Sequence, residues 1–241
     1  MAPLLGLLLL ASTAAAAAAL TIGCVGDSIT EGVGASCPPC TVSPRPLQPC
    51  GPAGCAHSWP GQLQVQLGTG HRVWNWGHVA ATMMSTTNCA RGDPTCSGRN
   101  CSAGRTGPPA KPCRSNGPPY WTTNEFAAAT NRMAPLDAVV IMLGTNDAKA
   151  NNWLYLGNET QYGLDAEKMV RTFMSLPQKP RVFLSTPPPL YHPTYTMNQT
   201  VVGVVMPAIL EHIAVRTGCE FIDMIAPLGG WPTLSEPQLF L

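Results

Sequence analysis

Charge is scarce in this chain. Asp, Glu, Lys and Arg make up 11% of its 241 residues, and the formal net charge is +1. Nucleic-acid binding needs a basic surplus to neutralise phosphates, so no nucleic-acid partner is expected. No internal repeat and no second domain are visible. A full nucleotide-binding fingerprint is missing as well: Gly23 and Gly26 match only part of it, and Asp27 would repel a phosphate. Cys37-Pro38-Pro39-Cys40 has zinc-ligand spacing, but no orderly second ligand pair accompanies it, so neither a metal nor another cofactor is expected.

Apolar residues are plentiful, at 45%, enough to build a real core. Residues 1–19 read as a secretory signal peptide. Leu4 to Leu10 form its apolar segment and Ala14 to Ala19 offer small residues for cleavage, although no Lys or Arg precedes them. An uncleaved anchor is the rival, since 4–25 is almost uncharged and long enough to span a bilayer. Cleavage is preferred because 20–25 is needed as a strand, which leaves 20–241 as one secreted domain with no stable membrane insertion. Ten cysteines suit that compartment. Eight fall in two groups, Cys37, Cys40, Cys50 and Cys55, then Cys89, Cys96, Cys101 and Cys113, and four disulfides are expected, paired within each group. Cys24 and Cys219 stand apart and read as buried thiols. Sequons at Asn100, Asn158 and Asn198 are glycan candidates.

Strands are expected over 20–25, 72–75, 138–143, 181–185 and 220–224, with helices between them. Ser58 caps a helix that Gly68 ends, Asn124 caps a second, and Asp165 caps a third bearing Met169, Phe173 and Leu176 on one face. A fourth runs over 199–217, kinked at Pro207 and stopped by Gly218. Alternating strands and helices predict a parallel sheet covered on both faces. Two insertions rich in Pro, Gly and Cys, at about 35–57 and 85–120, interrupt the pattern, and loops of that length are uncommon unless functional or stapled.

The chemistry gathers at strand ends. Gly26-Asp27-Ser28 follows strand one, Asn75-Trp76-Gly77-His78-Val79-Ala80 ends strand two, and Gly144-Thr145-Asn146-Asp147 follows strand three. In an open α/β sheet these C-terminal ends form one crevice. A serine nucleophile there needs a base and donors aimed at an oxyanion; the N–H groups of Ser28 and Ala80 and the Asn146 amide are the candidates. This requires the Ser28 hydroxyl and the Asn146 amide to share the crevice with neither buried. The plain alternatives are Ser28 as a helix cap, Asn146 as an Asx turn, and Trp74, Trp76 and Trp121 as packing residues rather than a sugar platform.

Over nearly its whole length after residue 19, the chain resembles the GDSL or SGNH family of esterases and lipases. Gly26-Asp27-Ser28, Asn75 with Gly77, and above all Gly144-Thr145-Asn146-Asp147 carry the resemblance. It implies a flavodoxin-like three-layer α/β/α sandwich with strand order 2-1-3-4-5. It also implies Ser28 as nucleophile, Asn146 and the Ala80 N–H as oxyanion donors, and Asp27, Gly77 and Asp147 as supporting residues. Two features depart from the family pattern. Ala80 stands where the family has glycine, and it is strained if the site needs a positive φ. The family's Asp-x-x-His block and the helix after it are not found, and the chain reads as truncated before them. None of the substitutes His57, His71, His78, His192 and His212 is assigned as the base. Losing a triad base costs on the order of 10⁶ in kcat, so the chain as written is expected to be nearly inactive. The expected partner is a small ester, a short acyl group on a carbohydrate. The rival is a non-catalytic carbohydrate-binding protein or pseudoenzyme on the same fold.

Overall fold

The structure, a computed structural model, describes residues 19–35, 57–85, 117–131, 136–153, 159–192 and 195–230. Residues 1–18 of the segment expected as a signal peptide, the eight grouped cysteines, and the sequons at Asn100 and Asn158 lie outside the described residues.

Five parallel strands form one sheet in the order β2-β1-β3-β4-β5. They are β1 Thr21–Gly26, β2 Arg72–Gly77, β3 Ala138–Met142, β4 Arg181–Ser185 and β5 Glu220–Ile222. Each falls within two residues of its sequence expectation. β1 and β2 run on to the paired glycines Gly26 and Gly77. Both glycines answer to close approach: a Cβ on Gly26 would meet the Thr30 side chain, and one on Gly77 would meet the backbone of Glu31.

Those contacts place the short helix α1 (Ser28–Glu31) on one face of the sheet. Helix α2 (Trp59–Leu67) joins it there, with Trp59 Nε1 donating to Thr30 Oγ1 at 3.2 Å. Ser58 caps α2 and Gly68 ends it, as the sequence predicts. The other face carries α3 (Asn124–Thr130), α5 (Glu159–Met174) and α6 (Met206–Thr217), and the Phe126 and Phe173 rings meet edge-on at 6.4 Å. A four-residue helix, α4 (Ala150–Trp153), precedes α5. Between the faces lie Val25, Val139, Ile141, Leu143, Val182 and Leu184, all buried with Met169, Phe173 and Leu210. Each such side chain contributes about 1.5–3 kcal/mol on burial.

Two local expectations are corrected, and a third, the irregular helix at Pro207, is made specific. Thr123 rather than Asn124 caps α3, because its Oγ1 accepts from Phe126 N at 3.1 Å. Asp165 is no cap: α5 begins six residues earlier, and Asp165 is buried within it. Ahead of Pro207 the chain is π-helical over Val201–Val205 before α6 proper, which fits a residue that cannot continue the i−4 bonding pattern. Gly218 ends α6 in the left-handed conformation, as expected. Cys24 is fully buried, and Cys219 is half-buried with its thiol pushed up by burial.

Candidate active site

Ser28 stands at the first position of α1, two residues beyond β1. The cap of that helix is Asp27, whose Oδ1 accepts from Ile29 N at 2.9 Å. Ser28 is therefore not the cap, and no hydrogen bond among the described residues uses its hydroxyl. Its N–H and that of Ala80 likewise meet no acceptor among the described residues. Orphan donors at a helix start and a tight turn are groups that hold a developing oxyanion.

Ala80 has φ 63, so the strained branch of the expectation holds. Left-handed geometry costs an L-residue about 1–2 kcal/mol, so neighbouring contacts must hold it. Gly117, itself at φ 74, lies so close that a Cβ there would run into the Ala80 carbonyl oxygen. Thr82 bridges to Pro119 just beyond.

Every residue from Ile141 to Lys149 is buried, polar ones included. Asn146 is only 3% exposed. Its Nδ2 donates to Ala81 O at 3.1 Å and, over a longer 3.4 Å, to Asp27 Oδ2. The amide is thus buried, which corrects the expectation that neither Ser28 nor Asn146 would be: packing against Ala81 O and Asp27 takes it out of solvent. Asn152, buried and not foreseen, holds the backbone at this position by donating Nδ2 to the Asn146 carbonyl at 2.8 Å. Asn75 supports the serine side: its Nδ2 donates to Thr30 O at 2.8 Å, and its Oδ1 accepts from Gly77 N at 2.9 Å.

Asp147 is fully buried, and its two oxygens accept from Met83 N and Met84 N, each at 2.8 Å. Burial nevertheless pushes its carboxyl up to about 7, and nearby Asp27 adds to the rise. Asp27 is pushed up to about 6, again by burial, against hydrogen bonds from Ile29 and Thr145 and the charge of Lys149. Burial lowers Lys149, and the two aspartates partly offset that.

The five histidines all lie among the described residues. His71 accepts from Leu20 N through Nδ1 at 3.0 Å, at the opposite end of β1. His57 and His212 are exposed, the latter on α6. His192 is exposed beyond β4. His78 follows β2 directly, and its Nδ1 is bound to Glu125 Oε2 at 2.9 Å. Burial pushes Glu125 up, but His78 outweighs this and holds it below the usual range. The tryptophans pack: Trp74 and Trp76 stack at 6.3 Å, and Trp121 Nε1 donates to Met83 O at 2.8 Å. Among the described residues no three His, Cys, Asp or Glu cluster to hold a metal ion.

Residues 24–240 match the model of the GDSL-like lipase/acylhydrolase family. An acetylxylan esterase from Xylanibacter ruminicola is 28% identical over 223 residues, which cover 86% of this chain and 36% of that protein. The chain therefore spans about a third of the length of that curated relative. Two solved structures share the fold. The aryl esterase of M. smegmatis has a TM-score of 0.52 at 24% identity, covering 85% of this chain and 84% of that one. A carbohydrate acetylesterase from Sinorhizobium meliloti has a TM-score of 0.52 at 21% identity, covering 85% and 83%.

Proposed function

This chain belongs to the GDSL-like lipase/acylhydrolase family, and from that premise we propose that it is a secreted serine ester hydrolase that removes a short acyl group, acetyl first, from a carbohydrate. The observation that carries this is the geometry around Ser28. Asp27 takes over the helix cap, which leaves the serine hydroxyl and two orphan N–H groups at one sheet edge.

In the proposed reaction Ser28 Oγ attacks the acyl carbon and gives its proton to water, because no histidine of this chain is assigned as the base; that makes the step slow. The carbonyl oxygen becomes an oxyanion that the Ser28 and Ala80 N–H groups receive. Asn146 adds its amide by exchanging the long 3.4 Å bond to Asp27. Collapse expels the sugar alcohol, which takes up the proton, and water then cleaves the acyl-enzyme. The acetyl preference draws support from the acetylxylan esterase likeness. Export is consistent with the sequon at Asn198: that residue is exposed, and its Oδ1 caps Val201 N at 3.2 Å, which leaves Nδ2 to carry a glycan.

The test is turnover of p-nitrophenyl acetate and of acetylated xylan by the chain and by Ser28→Ala. Turnover by the chain as given is expected to be slow, because no base is assigned, and Ser28→Ala should lower what remains. Equal rates would end the hydrolase proposal for this chain.

A further inference from the structure

We infer that Asp165, on α5, is a positioning residue for the Ala80 oxyanion donor: with Asp147 it grips three consecutive backbone N–H groups and holds the loop that carries Ala80. This rests on the hydrolase reading above.

Loop 78–85 contains one strained residue, Ala80, and the backbone beyond it is fastened at nearly every step. Asn146 holds Ala81 O, and Asp147 holds Met83 N and Met84 N. Asp165 Oδ2 then accepts from Ser85 N at 2.7 Å and from Ser85 Oγ at 3.0 Å. The first two side chains come from the strand-three end. Asp165 comes from a different element, so the loop spans two anchors. Helix α5 reaches the loop a second time: Lys168 Nζ sits 5.0 Å over the Trp121 ring, and Trp121 Nε1 holds Met83 O.

Asp165 is 4% exposed and ordered by its own helix, since Gln161 Nε2 donates to the same Oδ2 at 2.9 Å. A buried carboxylate held this way is a fixed acceptor rather than a swinging one. Releasing Ser85 lets strain at Ala80 relax toward negative φ, which rotates its N–H away from the oxyanion. A misplacement of about 1 Å costs on the order of 10²-fold.

The experiment compares wild type, Asp165→Ala, Asp165→Asn and Ser85→Ala. Its readouts are kcat and KM on p-nitrophenyl acetate, Ser28 labelling by a fluorophosphonate, and amide hydrogen exchange at residues 83–85. Asp165→Ala is expected to lower kcat and labelling about 10- to 100-fold with KM within about twofold. Exchange protection should fall at Ser85 while β3 amides keep theirs. Asp165→Asn should retain activity within about threefold, because a single oxygen accepts all three bonds. Loss of Ser85 protection with kcat unchanged would overturn the inference, as would a fall in kcat with protection at 83–85 intact. If Asp165→Ala does not fold, Ser85→Ala, which removes only the Oγ bond, decides: a kcat lowered about two- to fivefold supports positioning, and an unchanged kcat with lowered exchange protection at residue 85 overturns it. A wild type that neither turns over nor labels defeats the hydrolase reading instead, and the exchange data still score the grip on the loop.

Discussion

Two stretches at the C-terminal edge of the sheet carry left-handed residues, and they are held by different means. In loop 78–85 the strained residue is Ala80, and buried side chains grip the backbone after it. In 195–198, beyond β4, the strained residues are Tyr195 and Thr196, at φ 52 and 61. That stretch pairs backbone to backbone with 148–150, where Ala150 N donates to Thr196 O at 3.0 Å and Asn198 N to Ala148 O at 2.8 Å, and no buried carboxylate among the described residues grips it. Tyr195 is 81% exposed. A buried carboxylate that loses its donors, or donors that lose their carboxylate, leave orphaned polar groups with no water to replace them. A surface bridge has water available. The first stretch is thus built for precision and should tolerate little; the second should tolerate much.

The sharpest break is Asp147→Ala, which orphans two buried N–H groups. A stability loss of about 2–5 kcal/mol and at least 100-fold lower kcat are expected, read by denaturant unfolding and p-nitrophenyl acetate turnover. The matching change beyond β4 is Gln199→Ala, which removes one bond to Leu190 O. It should cost no more than about 1 kcal/mol and leave kcat within twofold. Equal losses would erase the contrast. Gly117→Ala attacks the same loop from outside, through the overlap with the Ala80 carbonyl and its own positive φ. About 2–5 kcal/mol is expected from strain and overpacking together.

The two stretches also differ in their response to pH. The sequence over 186–198 contains no Asp or Glu, whereas Asp27 and Asp147 beneath the first loop are raised to about 6 and about 7 by burial. A folded-state pKa above the unfolded value means that the folded chain holds more protons between about pH 4 and pH 7. The stability from this pair is therefore fully present below about pH 4 and is lost as pH rises through about 6 to 7. Unfolding free energies measured across that window should fall by a few kcal/mol, with Lys149 the cation facing the pair. Asp147→Asn should flatten the profile, and an unchanged slope would show that Asp147 is not the titrating group.

Much of this is written locally in the sequence. The apolar run ending in Gly26-Asp27-Ser28, the Ser58 cap and the Gly68 and Gly218 stops depend on residues a few positions apart, and the parallel sheet follows from alternation of strands and helices. The features that escape a sequence reading depend on partners far along the chain. Asp165 looks like a helix cap because an aspartate precedes apolar residues at helical spacing; its real partner, Ser85, is 80 residues away. The conformation of Ala80 is set by Gly117 and by carboxylates on two other elements, so local sequence leaves its φ open. Thr123 and Asn124 are both good caps, and only the reach of Thr123 Oγ1 to Phe126 N separates them. Asn146 is recognisable from its motif, but its depth follows from packing against Ala81 and Asp27.

The smallest effect discriminates best. Ala80→Gly removes left-handed strain of about 1–2 kcal/mol and adds about 0.4–1 kcal/mol of unfolded-chain entropy, so a net gain near 0.5–1 kcal/mol is expected. Tyr195→Gly should gain about as much, for the same reason. The two should part in combination with Asp165→Ala. If the grips exist to hold a strained Ala80, glycine at 80 makes them less necessary, and Ala80→Gly should recover several-fold of the kcat lost in Asp165→Ala, a coupling of about 1 kcal/mol. Tyr195→Gly, outside the gripped loop, should recover none. Measured kcat values that combine additively for both glycines would mean that strain at Ala80 and the hold of Asp165 are unrelated.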